Sequence, residues 1–259
     1  MKLPHIPQRE EKPRERGIAM MMDKGLSLKE TEGIIQVAGH LIDFAKLGFG
    51  TSLISNNVKE KVKLYRDAGI KVYVGGTLFE ACAIRNCVDK YEKYIDGLDV
   101  DAVEISDGSM EMAHEKKCDY ISYFAKKRTV LSEVGAKDAS VETDNNMWVR
   151  HMDEELKAGS SYVIGEARES GTVGIYKHSG SADTGLIDDI LKQIPSEKVI
   201  WEAPLKQQQV WFIQLLGYNV NLGNIAPADI IPLETLRLGL RGDTFFDFLP
   251  EEFQKFKLK

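Results

Sequence analysis

Several things are scarce in this 259-residue chain, and each scarcity removes a class of function. The three cysteines, Cys82, Cys87 and Cys118, form neither zinc-ligand spacing nor an even disulfide framework, so buried or half-buried thiols in a reducing compartment are expected. No stretch approaches the roughly 18 apolar residues of a membrane span. The first residues are polar and proline-bearing, without the apolar centre of a secretory signal, so a cytoplasmic protein is expected. Positive charge is in deficit: the net charge of −6 argues against a nucleic-acid binder that works by neutralising phosphates. No G-x-G-x-x-G follows the first apolar run, which disfavours an open dinucleotide-binding sheet. None of the five histidines sits where a strand would end, so surface or packing roles are expected for them.

What is present is a repeated cycle. A short apolar run ends in glycine or charge, and an amphipathic stretch follows. The runs are 17–22, 41–46, 71–74, 101–105, 129–134, 162–164, 198–201 and 219–222. Helical spacing is read near 28–38, 57–68, after 78, and at 114–127, 147–158, 185–193, 207–216 and 232–240. Continuous rather than alternating apolar runs suit strands buried on both faces of a parallel sheet. Eight such units in a chain of this length predict an α/β protein with a single (β/α)8 TIM barrel, because barrels of this kind take about 250 residues. Residues 1–16 read as a polar N-terminal arm, and 17–259 as the barrel domain with a C-terminal tail.

In such a barrel, functional groups come from the C-terminal ends of the strands and the loops after them. That rule selects Asp23 and Lys24, Lys46, Thr77 and Glu80, Glu104 and Asp107, Glu133 and Lys137, Glu166 and Arg168, Glu202, and Asn221 with Asn224. Glu104 and Glu133 stand inside apolar runs, where an unpaired carboxylate is costly. They must either pair with a lysine such as Lys46 or Lys137, or bind a hard divalent cation such as Mg²⁺. Lys137 suits an acid, a Schiff-base nucleophile or an anion-binding charge. Gly75-Gly76-Thr77 and Gly223-Asn224 offer backbone N–H groups to a phosphate, and Arg168 offers a fork for carboxylate or phosphate.

Taken together, the stretches Lys46-Leu47-Gly48-Phe49-Gly50-Thr51-Ser52, Gly75-Gly76-Thr77-Leu78-Phe79-Glu80, Val103-Glu104-Ile105-Ser106-Asp107-Gly108-Ser109, Glu133-Val134-Gly135, Arg168-Glu169-Ser170-Gly171 and Glu202-Ala203-Pro204 resemble the phosphosulfolactate synthase family. The likeness extends over about residues 17–246, in the family's order. It implies a Mg²⁺-dependent lyase that adds sulfite to phosphoenolpyruvate, giving (2R)-3-sulfolactate phosphate in sulfonate biosynthesis. It also implies a homo-oligomer, a trimer being one form. On this resemblance Lys137 and Lys46 are the catalytic candidates, Lys137 as the acid. Glu104, Asp107 and Glu133 are expected to hold the ion. Lys24, Thr77, Arg168, Gly223 and Asn224 are expected to bind the substrates. Ala167 and Leu238 depart from the family pattern, where glycine and arginine are expected, as does the loop after Lys137. A Schiff-base aldolase and a non-catalytic, stress-related relative remain alternatives.

Overall fold

The computed structural model describes residues 2–135 and 144–258. Among them, eight strands alternate with helices: β1 Ala19–Asp23, β2 Phe44–Leu47, β3 Lys71–Val74, β4 Ala102–Ile105, β5 Thr129–Val134, β6 Tyr162–Gly165, β7 Val199–Glu202 and β8 Leu222–Ile225. The helices are α1 Leu28–Ala38, α2 Thr51–Ile54, α3 Val58–Asp67, α4 Gly76–Ala83, α5 Val88–Leu98, α6 His114–Ala125, α7 Asn145–Ala158, α8 Thr184–Leu191, α9 Lys206–Leu216 and α10 Ile230–Arg237. All strand pairs are parallel, in the order β3-β2-β1-β8-β7-β6-β5-β4. The remaining seam, between β3 and β4, is tied by the Asp101 N–H donating to Val72 O (3.0 Å) and the Val72 N–H donating to the Asp101 carboxylate (3.0 Å). The result is a nearly closed (β/α)8 barrel, as the repeated cycle predicts.

The period-2 alternation of the strands sorts their residues into two cores. Val72, Val103, Val130, Val163 and Val199 face outward against the helices. Met20, Phe44, Tyr73, Ala102, Leu131, Ile164 and Ile200 fill the barrel interior. Two residues further along each of these strands, the side chain again points inward, one layer nearer the C-terminal mouth. Those positions are Met22, Lys46, Gly75, Glu104, Glu133, Glu166 and Glu202. One apolar layer therefore carries a polar layer above it, and the polar layer makes the site.

The opposite end is sealed by cations on backbone oxygens. Arg237 is fully buried, and its guanidinium donates to the carbonyls of Tyr218 (2.6 Å), Val220 (2.7 Å) and Ile18 (3.2 Å). Burial, with Arg9 nearby, lowers its pKa to about 9. Residues before β1 cover this end: Arg14 pairs with Asp43 at 2.9 Å, Arg9 with Glu234 at 2.9 Å, and Lys12 donates to Gly39 O at 3.1 Å.

Two elements differ from expectation. The last strand begins three residues later than the apolar run at 219–222, because Asn221 serves as a clip: its Oδ1 accepts from the Ile18 N–H at 3.0 Å, and its Nδ2 donates to Glu197 O at 3.0 Å. The helix α5 is masked in the sequence by its charged surface; only Tyr91 and Ile95, four residues apart, are fully buried. Among the described residues, no helix is long and apolar enough to cross a membrane.

Candidate active site

A cavity of about 600 Å³ opens at the C-terminal ends of the strands. Its floor is the polar layer: Lys46, Glu104, Glu133, Glu166 and Glu202, all buried. Lys46 sits among three of the carboxylates, its Nζ 2.9 Å from Glu104 Oε2, 3.2 Å from Glu133 Oε2 and 3.3 Å from Glu202 Oε1. Room for it comes from Gly75, where an added Cβ would lie 3.3 Å from Lys46 Cε. The neighbouring Gly76 N–H donates to Glu104 Oε1 at 2.5 Å, and a Cβ at Gly76 would collide with Ser106 Oγ. The glycine pair is thus a close-packing device, Gly75 against Lys46 and Gly48 on the β2 side and Gly76 against Glu104 and Ser106 on the β4 side.

The electrostatics follow from crowding. Burial alone would lower the Lys46 pKa, but Glu104, Glu133 and Glu202 outweigh it and hold the ammonium well above its ordinary range. Burial raises Glu104, against the opposing pull of Lys46, and pushes Glu202 up to about 8. Three glutamates thus surround one buried ammonium, with Glu166 beside Glu133 and Glu202, and such crowding of buried carboxylates favours protonation or a bound cation.

Oxygens of Glu133, Glu166 and Glu202 all lie within 4.8 Å of one another. Three buried carboxylates at such spacing are hard oxygen donors of the kind that Mg²⁺ takes while keeping waters for substrate. The donor set fits a divalent cation. The two expectations for the buried glutamates therefore divide between residues: Glu104 pairs with Lys46, while Glu133 faces both Lys46 and the carboxylates of Glu166 and Glu202.

A polar floor of this composition at the mouth of a barrel, in a chain that matches the (2R)-phospho-3-sulfolactate synthase (ComA) family over residues 7–243, decides the assignment. The chain belongs to the phosphosulfolactate synthase family. It is 42% identical to phosphosulfolactate synthase of Bacillus subtilis over 93% of this chain and 97% of that one. Against phosphosulfolactate synthase of Methanocaldococcus jannaschii the identity is 44%, over 89% of this chain and 94% of the relative. The protein HEAT-STRESS-ASSOCIATED 32 of Arabidopsis thaliana is 24% identical, over 88% of each chain. Among solved structures, 3-hexulose-6-phosphate synthase from Salmonella typhimurium superposes with a TM-score of 0.55 at 14% identity, covering 85% of this chain and 98% of that one, a likeness of fold alone.

Within this phosphosulfolactate synthase family barrel, the predicted residues distribute unevenly. Lys24, Thr77, Arg168 and Asn224 line the same cavity as Lys46, Glu104 and Glu133. Arg168 and Thr77 are exposed on its rim, Thr77 in the first turn of α4. Lys24, after β1, forms an ion pair with Glu169, after β6, across the mouth. Asn224 takes a left-handed backbone (φ 56°) and its Nδ2 donates to Ala167 O at 3.1 Å. Gly223 lies deeper, where a Cβ would stand 2.5 Å from Met20 Cε, so its smallness serves interior packing. Asp107 is not brought to the glutamates: it turns outward to Lys117 at 2.8 Å and lines a separate cavity. It follows β4 by two residues in an irregular loop, beyond the alternation that points Glu104 inward. Lys137 lies outside the described residues.

Sequence reasoning places Glu166 and Glu202 at strand ends but omits them from the ion-binding set. The usable signal is register. Each stands two residues past an interior isoleucine, as Glu133 stands two past Leu131. Lys117 escapes sequence reasoning altogether, because a lysine in an amphipathic helix gives no sign of burial.

Proposed function

We propose that the protein is a Mg²⁺-dependent carbon–sulfur lyase that adds sulfite to phosphoenolpyruvate to give (2R)-3-sulfolactate phosphate. The observation that carries this reading is the Lys46–glutamate floor in a chain of this family. Buried carboxylates repel two anionic substrates, and a cation held by Glu133, Glu166 and Glu202 would offset that repulsion.

A bound divalent cation supplies electron withdrawal from the substrate carboxylate, which makes C3 of phosphoenolpyruvate open to a nucleophile. The sulfur lone pair of sulfite forms the new C–S bond at C3. The C2=C3 π pair moves toward the carboxylate, and a proton delivered to C2 from one face completes the addition. Lys46, kept protonated by its three glutamates, supplies fixed positive charge at the floor and holds Glu104 and Glu133 in place. Arg168 and Lys24 on the rim attract and orient the phosphate and sulfite. Lys137 is the proposed acid for C2. The locked, charged state of Lys46 is unsuited to Schiff-base formation, which needs a free amine, and this favours the lyase over an aldolase using that residue.

A cytoplasmic enzyme assembled from identical subunits is part of the same proposal. Phe245 is about half exposed near the C-terminus and is offered as a contact between copies. The test of function is stoichiometry: purified protein with Mg²⁺ should consume sulfite and phosphoenolpyruvate one for one. Consumption of neither by folded protein would reject the proposal.

A further inference from the structure

Lys117 lies in α6, outside the cavity at the mouth, yet its side chain is 1% exposed. Burying an ammonium is costly, and here Nζ is matched by one main-chain oxygen and two carboxylates. It donates to Asp107 Oδ1 at 2.8 Å and to the main-chain oxygen of Glu133 at 2.7 Å, and it lies 2.8 Å from Glu155 Oε1. These acceptors belong to the loop after β4, the end of β5, and α7. Asp107 and Glu155 together outweigh the burial that would lower the Lys117 pKa, so the charge persists.

The bond to Glu133 O is the unusual one. The β4–β5 ladder runs from Ala102 opposite Thr129 to Ile105 opposite Ser132. Glu133 lies one residue beyond it, and there the Lys117 ammonium holds the strand from the helix side while the Glu133 carboxylate points into the barrel toward Lys46. Just past this point Gly135 adopts φ 131°, with Trp148 packed where a side chain would otherwise stand. On its other side Glu133 is still in register with Ile164 of β6, so the Lys117 bond secures the edge of β5 that β4 no longer reaches, just before this turn.

We infer that Lys117 is a positioning residue that fixes the β4-facing edge of the end of β5, and through it the Glu133 carboxylate, against Lys46, Glu166 and Glu202. Its catalytic importance rests on the proposed lyase reading; its positioning role does not. A misplacement of about 1 Å costs on the order of 100-fold in rate when a catalytic group depends on it.

Lys117→Met alone would strand two carboxylates, so the informative variant is Lys117→Met with Glu155→Gln. Asp107 is 22% exposed in its side chain and can be hydrated there. Glu155→Gln alone keeps the ammonium on Glu133 O, and Arg14→Met removes a buried ion pair at the far end of the barrel as a control for lost stability. In crystal structures, the double variant should show the Glu133 carboxylate withdrawn from its 3.2 Å approach to Lys46 and beyond hydrogen-bond reach, whereas Glu155→Gln should retain that approach. In the sulfite and phosphoenolpyruvate assay, the double variant should lose at least about tenfold in kcat with little change in KM. Glu155→Gln and Arg14→Met should stay within about twofold of the parent in kcat, whatever their melting temperatures. An unmoved Glu133 in the double variant, or a kcat loss that follows melting temperature across all three, would overturn the assignment. A parent enzyme without turnover would reject the lyase reading instead, and the crystallographic distance would still decide the positioning.

Discussion

Lys46 Nζ lies 2.9 Å from Glu104 Oε2, with Glu133 and Glu202 carboxylate oxygens at 3.2 and 3.3 Å. Four residues from four different strands thus meet at one nitrogen. The arrangement places a positive charge at the barrel floor, beside the carboxylate group of Glu133, Glu166 and Glu202.

Replacing Lys46 by methionine removes that charge while keeping the volume of the stem. The expected outcome is a fall in kcat of about 100- to 1000-fold, the range for losing one fixed charge-stabilising donor. Because Glu104, Glu133 and Glu202 would be left facing one another, a stability loss of ~3–5 kcal/mol is expected near neutral pH. Urea unfolding and steady-state kinetics on the same preparation check both; retained turnover would remove Lys46 from the machinery.

A distinct pH signature follows from the raised carboxyl groups. Glu202 titrates near 8 in the folded protein against an ordinary value of 4.5, chiefly because it is buried, and Glu104 shifts in the same direction. Between those values the folded state binds more protons than the unfolded one, so metal-free stability should fall as pH rises from about 5 to 8. Loading a cation on Glu133, Glu166 and Glu202 requires the carboxylates ionised, so Mn²⁺ binding should tighten across the same window and release protons. Calorimetry in buffers of different ionisation enthalpy reads the released protons. Binding that is independent of pH and proton-neutral would contradict the buried-carboxylate account.

Gly76→Ala tests the β3–β4 seam. The new methyl would collide with Ser106 Oγ and stand 2.8 Å from Glu104 Oε1, so the 2.5 Å bond from the Gly76 N–H to Glu104 must lengthen. Overpacking of this kind costs ~1–3 kcal/mol. Turnover should fall with it, since Glu104 is a direct partner of Lys46. Gly97→Ala, in the exposed part of α5 with nothing within 4 Å of the added carbon, should leave both properties intact. A thermal melt with an activity assay distinguishes the two substitutions.

The barrel is legible in the sequence because its signal is repetitive: eight continuous apolar runs, each followed by an amphipathic stretch, leave few other architectures. The strand-end rule brings Lys46, Glu104, Glu133, Glu166, Glu202 and Arg168 to one cavity for the same reason. Its limits are equally physical. Glu104 and Asp107 are three residues apart, and only alternation inside the strand decides which one faces inward; Asp107, in the loop, escapes that constraint and turns to Lys117. Whether a buried glutamate meets a lysine or a cation depends on distances across the barrel that no local pattern encodes. Lys117 shows the same limit from the other side, since its burial comes from α7 packing over α6 and its function from a carbonyl sixteen positions away.

The central claim is tested most directly by following phosphorus and proton resonances in ²H₂O while the enzyme, Mg²⁺, sulfite and phosphoenolpyruvate react. The account predicts that the phosphoenolpyruvate resonance is replaced by that of a new phosphate ester, with one deuteron at C2 in a single configuration, and that omission of sulfite or addition of a chelator stops the change. A phosphoenolpyruvate resonance that persists unchanged in the presence of folded, Mg²⁺-supplied protein would contradict it.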